Sequence, residues 1–359
     1  MLLVLYLLIL LIGILLKKKK HFNILVILLM ILIVFISIDC PDYSNYEIPY
    51  NYIKNGNNFY DVGFIWFLIC KIGGMMGLTF RVFKTLIVFI SLLLINDTVK
   101  FFCNKEKEQV SKFWLIYLIF PMLLDCIQFR FFLASSIVFF SFRFWSEKNI
   151  FNIIRCSLLI LLACLIHSSC LFILACYILS LIQNGKKNNI TKYIILTLLF
   201  SIFIALGREQ IISFLSLFIN KTRIDRYLLS GNPSGMMSIL VNFIVILTNY
   251  QILSKNIDKE IVSYNQSKNI KYIYAINNIN KLCFLILPLL AFDSNFIRIF
   301  RLVWILNIVN YIILQKHSSN IFLYKFKLNY TNFMILFALF LNVLFFVGIS
   351  FDSFLVLLT

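Results

Sequence analysis

Apolar stretches recur from the second residue almost to the last, separated by short polar segments. They occupy 2–16, 22–38, 82–95, 113–126, 131–144, 153–166, 168–182, 193–206, 236–253, 272–290, 296–314 and 331–349. Each holds its apolar character through several turns without the strict alternation of a barrel strand, so the pattern predicts membrane helices. A further half-apolar stretch, 61–79, is broken by Lys71 and Gly73-Gly74 and is expected to be re-entrant or interfacial. The expected fold is an all-α, polytopic integral membrane protein with about 11–12 transmembrane or re-entrant helices in one transmembrane domain, 1–359.

Composition agrees with this pattern. The chain is 61% hydrophobic and holds 39 Phe against 11 Gly and 5 Pro, with a mean hydropathy of +0.93. No soluble domain, internal repeat or low-complexity linker is visible. The first apolar run ends in Lys17-Lys18-Lys19-Lys20 with no small-residue cleavage site, so it is expected to be a first helix rather than a signal peptide.

The net charge of +18 does not point to nucleic acid, because the lysines lie in short loops between apolar runs. The positive-inside bias places those loops in the cytoplasm. Two larger outward loops follow, approximately 39–60 and 207–235. This topology puts 21 of the 33 Lys and Arg inside and 11 outside, with Lys281 within a span. The two residue types divide differently. Arg81, Arg130, Arg208, Arg223, Arg226, Arg298 and Arg301 fall outside, while most lysines fall inside. Insertion treats the two alike, whereas Arg is suited to bidentate recognition of phosphate or carboxylate. The outward face therefore calls for an anionic ligand.

Two polar residues break apolar segments on that face. Arg130 lies at the apex of one short hairpin and His167 at the apex of the next. Arms of about 15 residues reach only about 22 Å, short of a hydrocarbon core of about 30 Å, so both residues are expected below the outer surface. Structural roles compete with functional ones. Arg130 can pair with Asp125 or a carbonyl to fix packing, and His167 can be a turn residue bonded to Ser168 or Ser169. The loop Asp42-Tyr43-Ser44-Asn45-Tyr46-Glu47-Ile48-Pro49-Tyr50 offers aromatic faces and hydrogen-bonding groups suited to sugars, although Tyr is also an ordinary belt residue. Lys221-Thr222-Arg223-Ile224-Asp225-Arg226-Tyr227 is basic and aromatic, fitting either a ligand or anionic lipid headgroups. Arg298 and Arg301 share a helix face. No P-loop, GxGxxG, HExxH or GxSxG appears, and the acids are too scattered for a metal site. Of the nine cysteines, Cys40 and Cys126 alone are expected to look outward.

At these residues the chain resembles the EpsG-like branch of the Wzy-type polysaccharide polymerases. The motifs are the early loop Asp39–Tyr46, the tetrad Asp61-Val62-Gly63-Phe64, and Arg130 opening an apolar helix with Ala134 four residues on. Ile166-His167-Ser168-Ser169, Arg223 to Tyr227 and Arg298 complete the set. The family commonly has Glu where this chain has Asp61, and Gln where it has Phe131. The resemblance implies polymerisation of polyprenyl-pyrophosphate-linked oligosaccharide repeat units at the outer face of a bacterial plasma membrane, without a cofactor. Arg130, Arg223 and Arg298 would bind pyrophosphate, and Asp42, Tyr43, Tyr46 and Tyr227 the saccharide. His167 would transfer the proton, with Asp61 or Asp42 in reserve. Beyond the lipid-linked substrate and the bilayer, a chain-length regulator and a flippase of the same pathway would be partners. The rivals are a transporter of lipid-linked oligosaccharide and a ligase that moves a finished glycan.

Overall fold

The computed structural model describes residues 2–15, 21–37, 42–57, 63–145, 149–182, 192–202, 210, 239–250, 268–291, 293–315, 320–323 and 326–348. Helices dominate these residues, numbered here in chain order. α1 is Leu2–Leu15, α2 Phe22–Ile36, α3 Tyr43–Lys54, α4 Phe64–Met75, α5 Phe80–Phe102, α6 Lys107–Ile119 and α7 Met122–Ile127. α8 is Phe129–Trp145, α9 Ile150–Ile166 and α10 Leu171–Ile182. α11 is Lys192–Ile202 and α12 Ile239–Tyr250. α13 is Lys268–Cys283, α14 Ile297–Gln315 and α15 Tyr330–Gly348.

The chain is a polytopic helical membrane protein. Among the described residues Phe80–Phe102, Tyr272–Leu290 and Ile297–Gln315 are long and apolar enough to cross a membrane, and eight shorter apolar helices accompany them. The expected helices are present, with three local differences. α5 runs on to Phe102, so Lys100 sits on the helix rather than in a loop. The arm expected over 113–126 is two helices, because Pro121 lacks an N–H and ends α6. The segment between α14 and α15 carries two four-residue strands, Asn320–Leu323 and Phe326–Asn329, paired as a ladder.

The helices form two compact units. One comprises Met1–Leu174, Ile308–Ile321 and Lys327–Thr359, the other Ala175–Asn307 with Phe322–Phe326. In the first, α8 is the central helix and packs on α5 and α9. Its sequence is apolar on every side, and 13 of its 17 residues are buried, the signature of a helix surrounded by others. Ser135, Ser136 and Ser141 donate to carbonyls three residues back, which lets hydroxyls sit in the core. α1 and α9 lie at the rim and expose Leu, Ile and Val, the side chains that face lipid.

α3 and α4 are different. Each has 12 residues and spans about 18 Å, too short to cross. α4 falls within 61–79, the stretch expected to be re-entrant or interfacial. The two helices pack closely because a Cβ on Gly74 would stand 3.0 Å from the Lys54 Cα. Gly77, at φ +70, turns the chain after α4, and Thr79 caps α5 by accepting from the Val82 N–H. This hairpin sets the α4 N-terminus beside the start of α8.

Candidate functional site at the Arg130 end of the bundle

The first turns of α4 and α8 meet the last turn of α9. Arg130, half-buried in the first turn of α8, donates from Nε to the Ile166 carbonyl at 2.8 Å. Its guanidinium carbon lies 5.6 Å from the Trp66 ring centroid. A Cβ on Gly63 would stand 3.4 Å from both Arg130 Nη2 and the Leu165 carbonyl. Gly63 has φ +83 and ψ 143, a conformation open essentially to glycine alone. This explains the glycine in the acidic-x-Gly-aromatic tetrad.

His167 ends α9 at the residue after Arg130's carbonyl partner, and Phe131 packs edge-on to its ring with centroids 5.2 Å apart. Its Nδ1 accepts from the Ser169 N–H at 3.3 Å, capping the turn Ser168–Cys170. Arg130 and His167 therefore belong to one cluster. Both structural alternatives are also partly visible. Arg130 has a carbonyl partner, and His167 holds the Ser169 backbone N–H. Asp125, fully buried, accepts from Tyr117 Oη at 2.8 Å.

An aromatic cluster joins the cluster to α3. Tyr46 lies 4.6 Å from Phe129, and Trp66 lies 5.8 Å from the same ring. Tyr43 packs edge-on to Phe80 at 5.0 Å and donates to Glu47 Oε1 at 3.3 Å. Asp42 precedes α3 and accepts from Asn45 Nδ2. Tyr50 donates to the Leu78 carbonyl at 2.9 Å, and burial raises its phenol pKa above the ordinary value, with Cys70 adding to the shift. Two residues without an expected role belong here. Lys84 is buried on α5, donates to the Ser37 carbonyl and places Nζ 4.6 Å over the Tyr43 ring. Its signal in the sequence was a cation early in an apolar helix. Trp66 had only the amphipathic pattern of 64–75 to mark it.

The EpsG family matches residues 20–358. The chain belongs to the EpsG family. Membership supports a polymerase-like role in polysaccharide biosynthesis in general. No curated protein and no solved structure matches the chain.

The remaining expected site residues of this EpsG-family chain fall in the second unit or outside the described residues. Arg298 is half-buried in the first turn of α14, within the second unit, and Arg301 one turn on is buried. Asp61, Arg223 and Tyr227 lie outside the described residues, as does Cys40. Cys126 is buried. Among the described residues no three His, Cys, Asp or Glu side chains converge as metal ligands would.

The arrangement can bind an anion. Gly63 has no side chain to cap α4, and the helix ladder begins with Phe67 N–H to the Gly63 carbonyl. The N–H groups of Phe64, Ile65 and Trp66 therefore point past the helix end, where the dipole favours negative charge. Arg130 Nη2 stands beside this helix end, 3.4 Å from where a Gly63 Cβ would be. The guanidinium Nε is committed to the protein backbone and its carbon lies against the Trp66 ring, so the charge is held in place before a ligand arrives.

Proposed function

We propose that the chain polymerises polyprenyl-pyrophosphate-linked oligosaccharide repeat units at the outer face of a bacterial plasma membrane. The observation that carries this reading is the Arg130 guanidinium held against the α4 N-terminus. It is a preorganised place for the charge of a departing pyrophosphate. An acceptor hydroxyl oxygen of the incoming lipid-linked unit forms the new bond to the anomeric carbon of the growing chain. The bond from that carbon to the phosphate oxygen breaks, and polyprenyl pyrophosphate leaves with the electron pair. The hydroxyl proton passes to a general base, for which Asp61 or Asp42 is of the right class. The resemblance carries pyrophosphate binding also to Arg223 and Arg298, and saccharide binding to Asp42, Tyr43, Tyr46 and Tyr227. Tyr43 and Tyr46 support this by standing on the helix that packs beside Trp66 and Phe129. The Nδ1 bond of His167 shifts its proposed part in proton transfer from base to donor, since its Nε2 then carries the proton.

One observation favours a transport reading. Lys281 is buried at the middle of the 19-residue span Tyr272–Leu290, against Asn278 Oδ1 at 3.3 Å and the Tyr250 ring at 5.7 Å. A cation at that depth is a feature of translocation pathways. Glycan analysis of a deletion strain decides. Single repeat units on the normal acceptor mean polymerase, trapped lipid-linked chains mean ligase, and lipid-linked units accumulating inside mean transporter. Arg130→Ala should reproduce the deletion while the protein remains inserted. Normal chain length in that variant would sink the assignment.

A further inference from the structure

Lys84 lies near the start of α5 and is only 3% exposed, although a lysine close to a helix end has a stem long enough to reach the headgroups. An ammonium turned inward loses its hydration, so the groups it meets must compensate. Two of them lie on different helices. Lys84 donates to the carbonyl of Ser37, the residue that ends α2, where the helix dipole favours a cation. Its Nζ also stands 4.6 Å from the ring centroid of Tyr43, the first residue of α3. Arg81, one turn earlier, lies 5.0 Å from the ring of Phe35 on α2, so α5 holds α2 without Lys84 as well. What Lys84 adds is the link to α3.

From Tyr43 the rings continue toward Arg130. Phe80 lies 5.0 Å from Tyr43, Phe129 lies 6.0 Å from Phe80, and Trp66 lies 5.8 Å from Phe129. The Arg130 guanidinium carbon is 5.6 Å from that last ring. Close-packed rings transmit a displacement rather than absorb it. We infer that Lys84 is a positioning residue, which holds the Tyr43 end of α3 at a set distance from Arg130. This rests on the assignment of saccharide to Tyr43 and pyrophosphate to Arg130 made above. A sugar joined to a pyrophosphate presents its two ends at one spacing, and a protein preset to that spacing binds it without first reorganising. Lys84 is buried and meets no sugar itself. Its loss therefore weakens binding of the repeat unit and leaves bond breaking at Arg130 intact.

The test uses the full chain and two readouts. One is fluorine NMR in detergent micelles, with 3-fluorotyrosine in place of Tyr43. The other is chain growth in vesicles at varied concentrations of lipid-linked repeat unit. Lys84→Met removes both contacts at nearly constant volume. The fluorine signal should move, KM for the lipid-linked unit should rise about tenfold, and kcat should change by less than about twofold. Lys84→Arg can donate to the Ser37 carbonyl and lie over the ring, so it should restore the signal and bring KM to within about threefold of wild type. Should Lys84→Met fail to insert, Lys84→Gln carries the same expectation. Ser91→Leu, which overfills the buried side of α5 two turns on, should lower the unfolding temperature and leave both the signal and KM unchanged. An unmoved signal in Lys84→Met, or a moved signal with KM unchanged, would overturn the positioning role. So would an equal rise of KM in Ser91→Leu, because loosened packing alone would then suffice. The signal requires no turnover, so the two proposals fail separately. A wild-type chain that extends nothing, while Lys84→Met still moves the signal, refutes the polymerase reading alone. A polymerising chain whose signal and KM ignore Lys84 refutes the positioning role alone.

Discussion

The role of His167 can be decided by replacing it three ways. Its Nδ1 accepts the Ser169 N–H at 3.3 Å, and a neutral imidazole that accepts there carries its proton on Nε2. To act as a base at Nε2 the ring would first move that proton to Nδ1. Two donors would then face each other, at a cost of about 1–3 kcal/mol for the hydrogen bond left unmade. A donor role carries no such cost, and a hydrogen bond to a phosphate oxygen contributes about 1.5–3 kcal/mol, or roughly 10–150-fold in rate. Asn reproduces the cap without any atom at the Nε2 position, and Gln reaches that position with an N–H. His167→Asn should therefore retain thermal stability and lose about 10–150-fold in kcat/KM. His167→Gln should retain much of the activity. His167→Ala should lose the activity together with about 1 kcal/mol of stability from the missing cap. The assay is chain growth on lipid-linked repeat units in vesicles, read as a product ladder across pH. For a donor, the wild-type rate stays level as pH falls through the imidazole range near ~6.5. A tenfold fall per pH unit below that point, together with His167→Gln as inactive as His167→Ala, would refute the donor role and restore the base.

Arg130→Lys keeps the charge but loses both the Nε bond to Ile166 and the guanidinium contact with the Trp66 ring, so kcat/KM should fall by about 10–100-fold. Wild-type activity in that variant would show that charge alone suffices. Among the described residues Gly63→Ala meets nothing closer than 3.4 Å, so its cost of about 1–3 kcal/mol should come from backbone conformation, measured as a lower unfolding temperature in detergent. Asn280 and Asn307, both buried, exchange two hydrogen bonds at 2.7 and 3.0 Å. Asn280→Leu alone should destabilise by about 1–2 kcal/mol by orphaning its partner, while the double Leu variant should recover most of that loss. A double variant less stable than the single one would contradict this account.

The helices were legible because bilayer insertion writes itself into long apolar runs, and the boundaries of α2, α9 and α14 fall within a few residues of the hydropathy pattern. The break around α4 was legible through Lys71 and the double glycine, which no full span would tolerate comfortably, whereas α3 formed where an outward loop was expected. Arg130 and His167 were visible as polar interruptions, and their common neighbourhood followed from two consecutive hairpins. What sequence did not carry was orientation of individual groups. The carbonyl of Ile166 has no side-chain signature, yet it fixes Arg130. Lys84 is one lysine among 24 in composition, and only packing sets it over Tyr43. The break at Pro121 was written in the chain, but an apolar run on both sides masked it. The tautomer of His167 depends on a backbone N–H two residues on, which every sequence supplies.

The Gly63 backbone links the motif to the chemistry. A residue with a Cβ would be strained at φ +83, so the chain could not easily present this helix start in another way. With glycine there, the first-turn amides of α4 and the guanidinium of Arg130 converge without an intervening side chain. The amides belong to a helix held by Tyr50, Trp66 and Phe83, and the guanidinium to a helix buried on nearly every side. Neither element can follow a ligand by much, because close-packed interiors resist small shifts. A site of this kind stabilises charge that develops at one fixed position and gains little from charge elsewhere. That suits departure of a pyrophosphate from an anomeric carbon better than passage of a charged group through the membrane, in which the anion must be held equally well at successive positions. Fixed convergence at one end of the bundle thus weighs for group transfer, and the buried Lys281 alone does not reverse that balance.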